Sequence, residues 1–144
     1  MPPDLASLTR FFEIYPKLTV LSGAGISTAS GIPGYRDARG EWTRPAPVYL
    51  RDFLTRADSR KSYWTRSLLG WPRFRDARCN AGHRALAALE RAGRIGLLIT
   101  QNVDGLHQKA GSVNVIDLHG RLDRVVCLGC GEAVDVSPES AGLV

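Results

Sequence analysis

Methionine occurs once in these 144 residues, cysteine three times, and only three of the 19 basic residues are lysines (Lys17, Lys61, Lys109). Each scarcity excludes something. Three cysteines are too few for the stapled framework of a small secreted domain, and Cys127-x-x-Cys130 has the spacing of a metal-ligand pair in a reducing compartment. A second C-x-x-C is missing, which excludes a self-contained zinc ribbon. No apolar run approaches the ~20 residues of a transmembrane helix. The longest charge-free stretch, 18–35, is broken by Gly and Ser, and Asp4, Arg10 and Glu13 interrupt the amino end where a signal peptide would be unbroken. The expectation is a cytoplasmic protein with no membrane contact; in a eukaryotic cell it would belong in the mitochondrial matrix, although no transit peptide is seen. The net charge of +5 is carried mostly by arginines spread from Arg10 to Arg124 without a dense block. That suits a phosphate-bearing ligand, and nucleic acid is not an expected partner. Low-complexity tracts and repeats are absent, and 44% hydrophobic with 23% charged residues is the composition of a folded domain.

What is present is organised around 18–37, LTVLSGAGISTASGIPGYRD. Leu18 to Leu21 is a short apolar strand pattern; Ser22-Gly23-Ala24-Gly25 turns the chain and a helix starts near Ile26. A βα turn with glycines at 23 and 25 lets backbone approach a phosphate at a helix start. Thr28 stands where the third glycine of G-x-G-x-x-G would be, so an ordinary tight turn remains an equal reading. Before it, Asp4 is a candidate N-cap for a packing helix carrying Leu5, Leu8 and Phe12. After it, Gly31 to Pro47 is too rich in Gly and Pro for regular structure and reads as a ligand-covering loop. Residues 48–69 read as helical, with Val48 to Leu54 short and a Ser59-capped helix stopping at Gly70 before Pro72. Asn80 caps a clearer helix with Ala85, Leu86, Leu89 and Ala92 on one face and Gly93 as its stop. Ile95 to Thr100 and Val113 to Leu118 read as buried parallel strands, so strands alternate with helices in an α/β arrangement.

Polar groups gather where those strands end: Gln101-Asn102-Val103-Asp104 after one, His119 after the other. In a doubly wound sheet ligands bind outside the carboxyl ends of the strands. Taken alone, Gln101, Asn102 and Asp104 read first as a turn held by side-chain to backbone hydrogen bonds, His119 reads equally as a loop residue, and His83 as a packed core histidine rather than a ligand.

Five motifs in order, Gly23-Ala24-Gly25-Ile26-Ser27, Gly31-Ile32-Pro33-x-Tyr35-Arg36, Thr100-Gln101-Asn102-Val103-Asp104-x-Leu106-His107, Leu118-His119-Gly120 and Cys127-x-x-Cys130, together resemble the amino-terminal part of a sirtuin. Tyr63-Trp64-x-Arg66, Gly70-Trp71-Pro72 and Asp123-Arg124-Val125-x-Cys127 are similar to the class II branch. The resemblance implies an incomplete Rossmann-like parallel sheet with a helical insertion and the start of a small zinc-binding module. Residues 1–144 would be a truncated catalytic domain: 18–43 the NAD-binding turn and cofactor loop, 44–80 the helical insertion, 121–144 a partial zinc module.

The resemblance further implies NAD as co-substrate and an acylated lysine protein as partner, with nicotinamide, an O-acyl-ADP-ribose and the freed lysine as products. Gly23, Ala24, Gly25, Ser27, Pro33, Tyr35, Arg36, Gln101, Asn102, Val103 and Asp104 would border NAD. Asn102 and Asp104 would also act in catalysis by orienting the nicotinamide ribose. His119 would be the general base, a task that suits imidazole. Cys127 and Cys130 would hold structural zinc in a site that this chain leaves incomplete. Gly34 departs from the acidic residue usual before Tyr35. Tyr63 and Arg66 resemble the pair that recognises acidic acyl groups in desuccinylase-type members, although an exposed helix surface reads as well. The alternatives are an inactive nucleotide- or metal-binding fragment, or ADP-ribosyltransferase or lipoamidase activity.

Overall fold

The computed structural model describes residues 4–34, 39–41 and 47–136. Three parallel strands, β1 (Leu18–Ser22), β2 (Ile95–Thr100) and β3 (Val115–Asp117), form a sheet in the order β1-β2-β3. β2 is the apolar centre, with Ile95 and Leu98 buried and both edges paired. The register matters most for function: Ser22 pairs with Thr100 and Thr100 with Asp117. The three strands therefore end on one line, and the backbone continues it, Gln101 N donating to Ser22 O at 3.1 Å and Leu118 N to Thr100 O at 2.9 Å. The α/β reading of the sequence holds.

Between β1 and β2 run a 3-10 helix (Ala24–Ser30), α2 (Leu50–Thr55), α3 (Ala57–Asp76) and α4 (Ala81–Arg91); α5 (Leu106–Lys109) joins β2 to β3. The helix after the glycine turn is thus a tight 3-10 coil. Gly and Ser lose much on entering an α-helix, and a short segment tolerates the poorer 3-10 geometry. Gly31 closes it with φ of +80°, its N–H reaching Thr28 O at 3.0 Å. α4 begins as the sequence indicates: Asn80 accepts from Gly82 N and His83 N, and His83 Nδ1 accepts from Asn80 N.

Three expectations are corrected. α3 does not stop at Gly70 but carries Pro72 inside it and runs to Asp76. An interior proline costs about 3 kcal/mol, and part of the offset is visible at the far end, where Lys109 Nζ donates to Phe74 O and Arg75 O. Its N-cap is Arg56, not Ser59, and makes no side-chain cap bond. α1 (Leu5–Ile14) is capped by Asp4, whose Oδ1 accepts from Ser7 N at 2.7 Å, yet it buries none of its residues. Apolar periodicity predicts a helix with an apolar face; it does not say what covers that face.

β4 (Arg124–Val126) and β5 (Ala133–Asp135) pair antiparallel as a hairpin. Among the described residues no helix is long and apolar enough to cross a membrane.

The interior is unusual in content. Among the described residues five apolar side chains are buried (Ile32, Ala87, Ile95, Leu98, Leu106) against eight polar ones (Ser22, Ser27, His83, Thr100, Asn102, Asp104, His107, Ser112). A core of that kind stands only if its hydrogen bonds are made. Asn80 ties this interior to the 3-10 helix, its Nδ2 donating to Ile26 O at 2.7 Å and to Ser30 Oγ at 3.0 Å. Asn80→Ala removes a cap and both ties, so a loss of about 2 kcal/mol is expected in urea unfolding; a loss below 0.5 kcal/mol would contradict the role given to it.

Candidate active site

The glycine turn, the Gln101–Asp104 segment and His119 leave the sheet side by side because their strands end in register. The first two are then bound to each other. Ser27, fully buried, donates from Oγ to Asp104 Oδ2 at 2.7 Å; Asn102 Nδ2 donates to Ser27 Oγ at 3.2 Å and to Gly23 O at 3.1 Å. Asp104 Oδ1 accepts from Leu106 N at 2.9 Å, across Gly105, whose φ of +67° turns the chain into α5. Asn102 and Asp104 therefore do hold a turn, as the plain reading of the segment has it, but they hold it against the glycine turn.

Among the described residues nothing requires glycine at 23 or 25. Neither has a positive φ, and a Cβ at either would meet no atom of the described residues within 4 Å. Glycine costs conformational entropy without an internal return there, which fits a backbone left bare for a ligand. The first N–H groups of the 3-10 helix lack intrahelical acceptors and suit phosphate oxygens. The residues present fit a dinucleotide.

His119 is exposed, with Nδ1 3.0 Å from Gln101 O. A carbonyl only accepts, so Nδ1 carries the hydrogen and Nε2 keeps its lone pair, the arrangement a general base needs. Beside it opens a cavity of about 340 Å³ lined by Asp117, His119, Gly120, Arg121 and Arg124 among others. A cavity of equal size between α1 and α4, lined by Phe12, Leu89 and Arg94, contains none of these groups. Ala24 and Val103 are half-buried beside the network, while Pro33 and Gln101 are exposed. Tyr35 and Arg36 lie outside the described residues. Tyr63 packs edge-on against Phe53 and Trp64, and Arg66 donates back to Ser62 O and Oγ one turn earlier.

A model of the Sir2 family matches residues 23–141. The chain belongs to that family. Among curated Sir2 relatives, an NAD-dependent protein deacetylase of Xanthomonas campestris pv. campestris is 60% identical over 124 residues, 86% of this chain and 42% of that protein. NAD-dependent protein deacetylase 2 of Bradyrhizobium diazoefficiens is 57% identical over 87% of this chain and 46% of its own. The chain thus spans less than half the length of these relatives. A Sir2 homologue solved with NAD superposes with a TM-score of 0.75 at 36% identity, over 91% of this chain and 51% of that one. A Sir2 complex with a p53 peptide and NAD+ gives 0.72 at 32% identity, over 90% and 52%.

Cys127 and Cys130 sit between β4 and β5, and both are exposed. Backbone N–H groups of Cys130 and Gly129 push the Cys127 thiol pKa down, which favours the thiolate a metal requires. Among the described residues no group of three His, Cys, Asp or Glu could hold an ion. Two ligands of four do not make a structural zinc site.

Sequence reasoning missed the depth of the network behind the site. Ser22, Thr100 and His107 are buried and linked, and His83 stands against His107 with ring centroids 5.0 Å apart. The available signal was a hydroxyl residue at the end of each of two apolar strands and a histidine one step after Leu106. Burial lowers the pKa of both imidazoles; Arg84 also opposes protonation of His83, and His83 that of His107, while Asp104 pulls both upward and Asp117 pulls His107 upward. With folded values below the ordinary 6.5, the unfolded chain takes up protons first as pH falls, so stability must drop below about pH 6.5 and level off below the folded values. Urea midpoints should be flat above pH 7 and decline towards pH 5; an unchanged midpoint at pH 5.5 would show that these imidazoles are not buried neutral.

Proposed function

We propose that this chain carries the NAD-binding and catalytic half of an NAD-dependent protein lysine deacylase. The observation that carries the reading is the bond set from Asn102 and Asp104 to Ser27 and Gly23, which fixes a bare glycine turn opposite a carboxamide. NAD would lie with its pyrophosphate on the turn at Gly23, Ala24 and Gly25 and its nicotinamide ribose towards Asn102 and Asp104. NAD supplies an electrophilic C1′ that the acyl oxygen of a modified lysine attacks as nicotinamide leaves. The protein's part is to hold that carbon in line and to keep water out. His119 Nε2 then removes a proton from a ribose hydroxyl.

Cys127 and Cys130 are read as two of four ligands of a structural zinc ion, with no role in the chemistry. The class II-like motifs at 63–72 and 123–127 support a place in that branch, which keeps lipoamidase and ADP-ribosyl transfer as competing activities. A preference for acidic acyl groups through Tyr63 and Arg66 is the weaker reading, since Arg66 is folded onto its own helix.

The 144 residues alone are expected to release no nicotinamide from NAD and an acetylated peptide, because the site as described has one wall. Joined to the remaining part of the Xanthomonas campestris relative, they should release it, and His119→Ala should lower turnover by roughly 10² or more with NAD affinity nearly unchanged. Near-normal turnover of that variant would remove His119 from the role of base.

In the same joined protein Gly25→Ala should leave the melting temperature unmoved, since its Cβ meets no atom of the described residues, and weaken NAD binding by about tenfold or more (1.4 kcal/mol). Unaltered affinity would mean that the pyrophosphate does not lie on this turn.

A further inference from the structure

Behind the proposed NAD site runs a hydrogen-bonded chain that the chemistry above does not use. Ser22 Oγ lies 2.8 Å from His107 Nε2 and donates to Thr100 Oγ1 at 2.9 Å. Thr100 Oγ1 also accepts the backbone N–H of Asn102 at 3.1 Å. Thr100 and His107 are 2% and 1% exposed and Ser22 9%, so water does not compete for these bonds.

The direction of the protons is taken from the Ser22 hydroxyl, which donates to Thr100. Ser22 has one hydroxyl hydrogen, and it points to Thr100; towards His107 the serine can only accept, so Nε2 carries the imidazole hydrogen. His107 Nδ1 is then a bare acceptor, and it is buried with no hydrogen-bond partner. The imidazole is kept neutral by its burial and by the His83 ring beside it, against the pull of Asp104 and Asp117.

We propose that His107 is a positioning residue for Asn102: its Nε2–H, acting through the Ser22 and Thr100 hydroxyls, fixes the backbone at Asn102 and thereby the aim of the carboxamide at NAD. The inference rests on the NAD reading of the site. The physical reason for the device is leverage. Asn102 Nδ2 is held from the front by Gly23 O and Ser27 Oγ, both on the turn that NAD would cover. The Thr100 bond to its backbone is the only one of these restraints that comes from the sheet. Without it the front bonds can persist while the residue tilts, and a displacement of about 1 Å costs roughly 10² in rate.

Three variants separate positioning from mere stability. His107→Phe removes the donor and keeps a ring; His107→Gln returns an N–H close to the Nε2 position; Thr100→Val, nearly isosteric, removes the acceptor at the other end. In the ¹⁵N-labelled 144-residue chain, long-range ¹⁵N–¹H spectra should show His107 as the Nε2–H tautomer. The Asn102 amide should exchange about tenfold faster in His107→Phe and Thr100→Val, and within threefold of wild type in His107→Gln. In the protein joined to the Xanthomonas remainder, kcat for nicotinamide release should fall tenfold or more in the first two variants at unchanged KM for the acetylated peptide, and recover in His107→Gln. An Nδ1–H tautomer would overturn the proposal, as would wild-type exchange at Asn102 together with wild-type kcat in Thr100→Val. If the unsubstituted joined protein releases no nicotinamide, the NAD reading fails, and tautomer and exchange still decide whether His107 restrains Asn102.

Discussion

Ser27 is the joint on which the described structure depends. Its hydroxyl donates to Asp104, receives Asn102 and lies 3.4 Å from His83 Nε2, so one buried atom links the glycine turn, the segment after β2 and the first turn of α4. Each bond is worth roughly 1 kcal/mol net, but leaving a buried partner unsatisfied costs about 1–3 kcal/mol, so the cluster is held as a unit. Among the described residues, eight buried polar side chains against five apolar ones mean that much of the specificity of this interior is hydrogen-bonded rather than packed. That is the kind of interior a rigid polar site requires, because its members cannot drift without leaving donors bare.

The sheet register does the rest. Ser22, Thr100 and Asp117 lie on one line, so three loops that are far apart in sequence start within two strand spacings of each other. The exposed His119, bound through Nδ1 to the carbonyl of Gln101, joins the site from the third strand. Among the described residues none of these bonds comes from the long α3 helix, which lies between the glycine turn and α4 in sequence and is tied to α5 through Lys109.

The sequence read well wherever local chemistry and tertiary structure agree. Asp4 and Asn80 cap their helices, Gly93 follows α4 with a positive φ, and the apolar runs at 18–21 and 95–100 are strands. It read less well where tertiary contacts override local preference. Pro72 sits inside a helix whose last carbonyls are bound by Lys109. In the candidate site, Asn102, Asp104 and His119 were singled out by the resemblance of their motifs, while the linkage of Ser22, Thr100 and His107 depends on strand register, which no single segment encodes. Val113 to Leu118 shortened to Val115–Asp117 for a similar reason: Glu90 takes the Val113 and Asn114 N–H groups, which stops the ladder.

The central claim is that the glycine turn, the Gln101–Asp104 segment and His119 form one NAD site. Amide and side-chain chemical-shift mapping of the 144-residue chain with millimolar NAD tests it most directly. The account predicts shifts concentrated at Gly23 to Ser27, at Gln101 to Asp104 including the Asn102 carboxamide, and at His119. Shifts confined to the cavity between α1 and α4, or none at all, would contradict it.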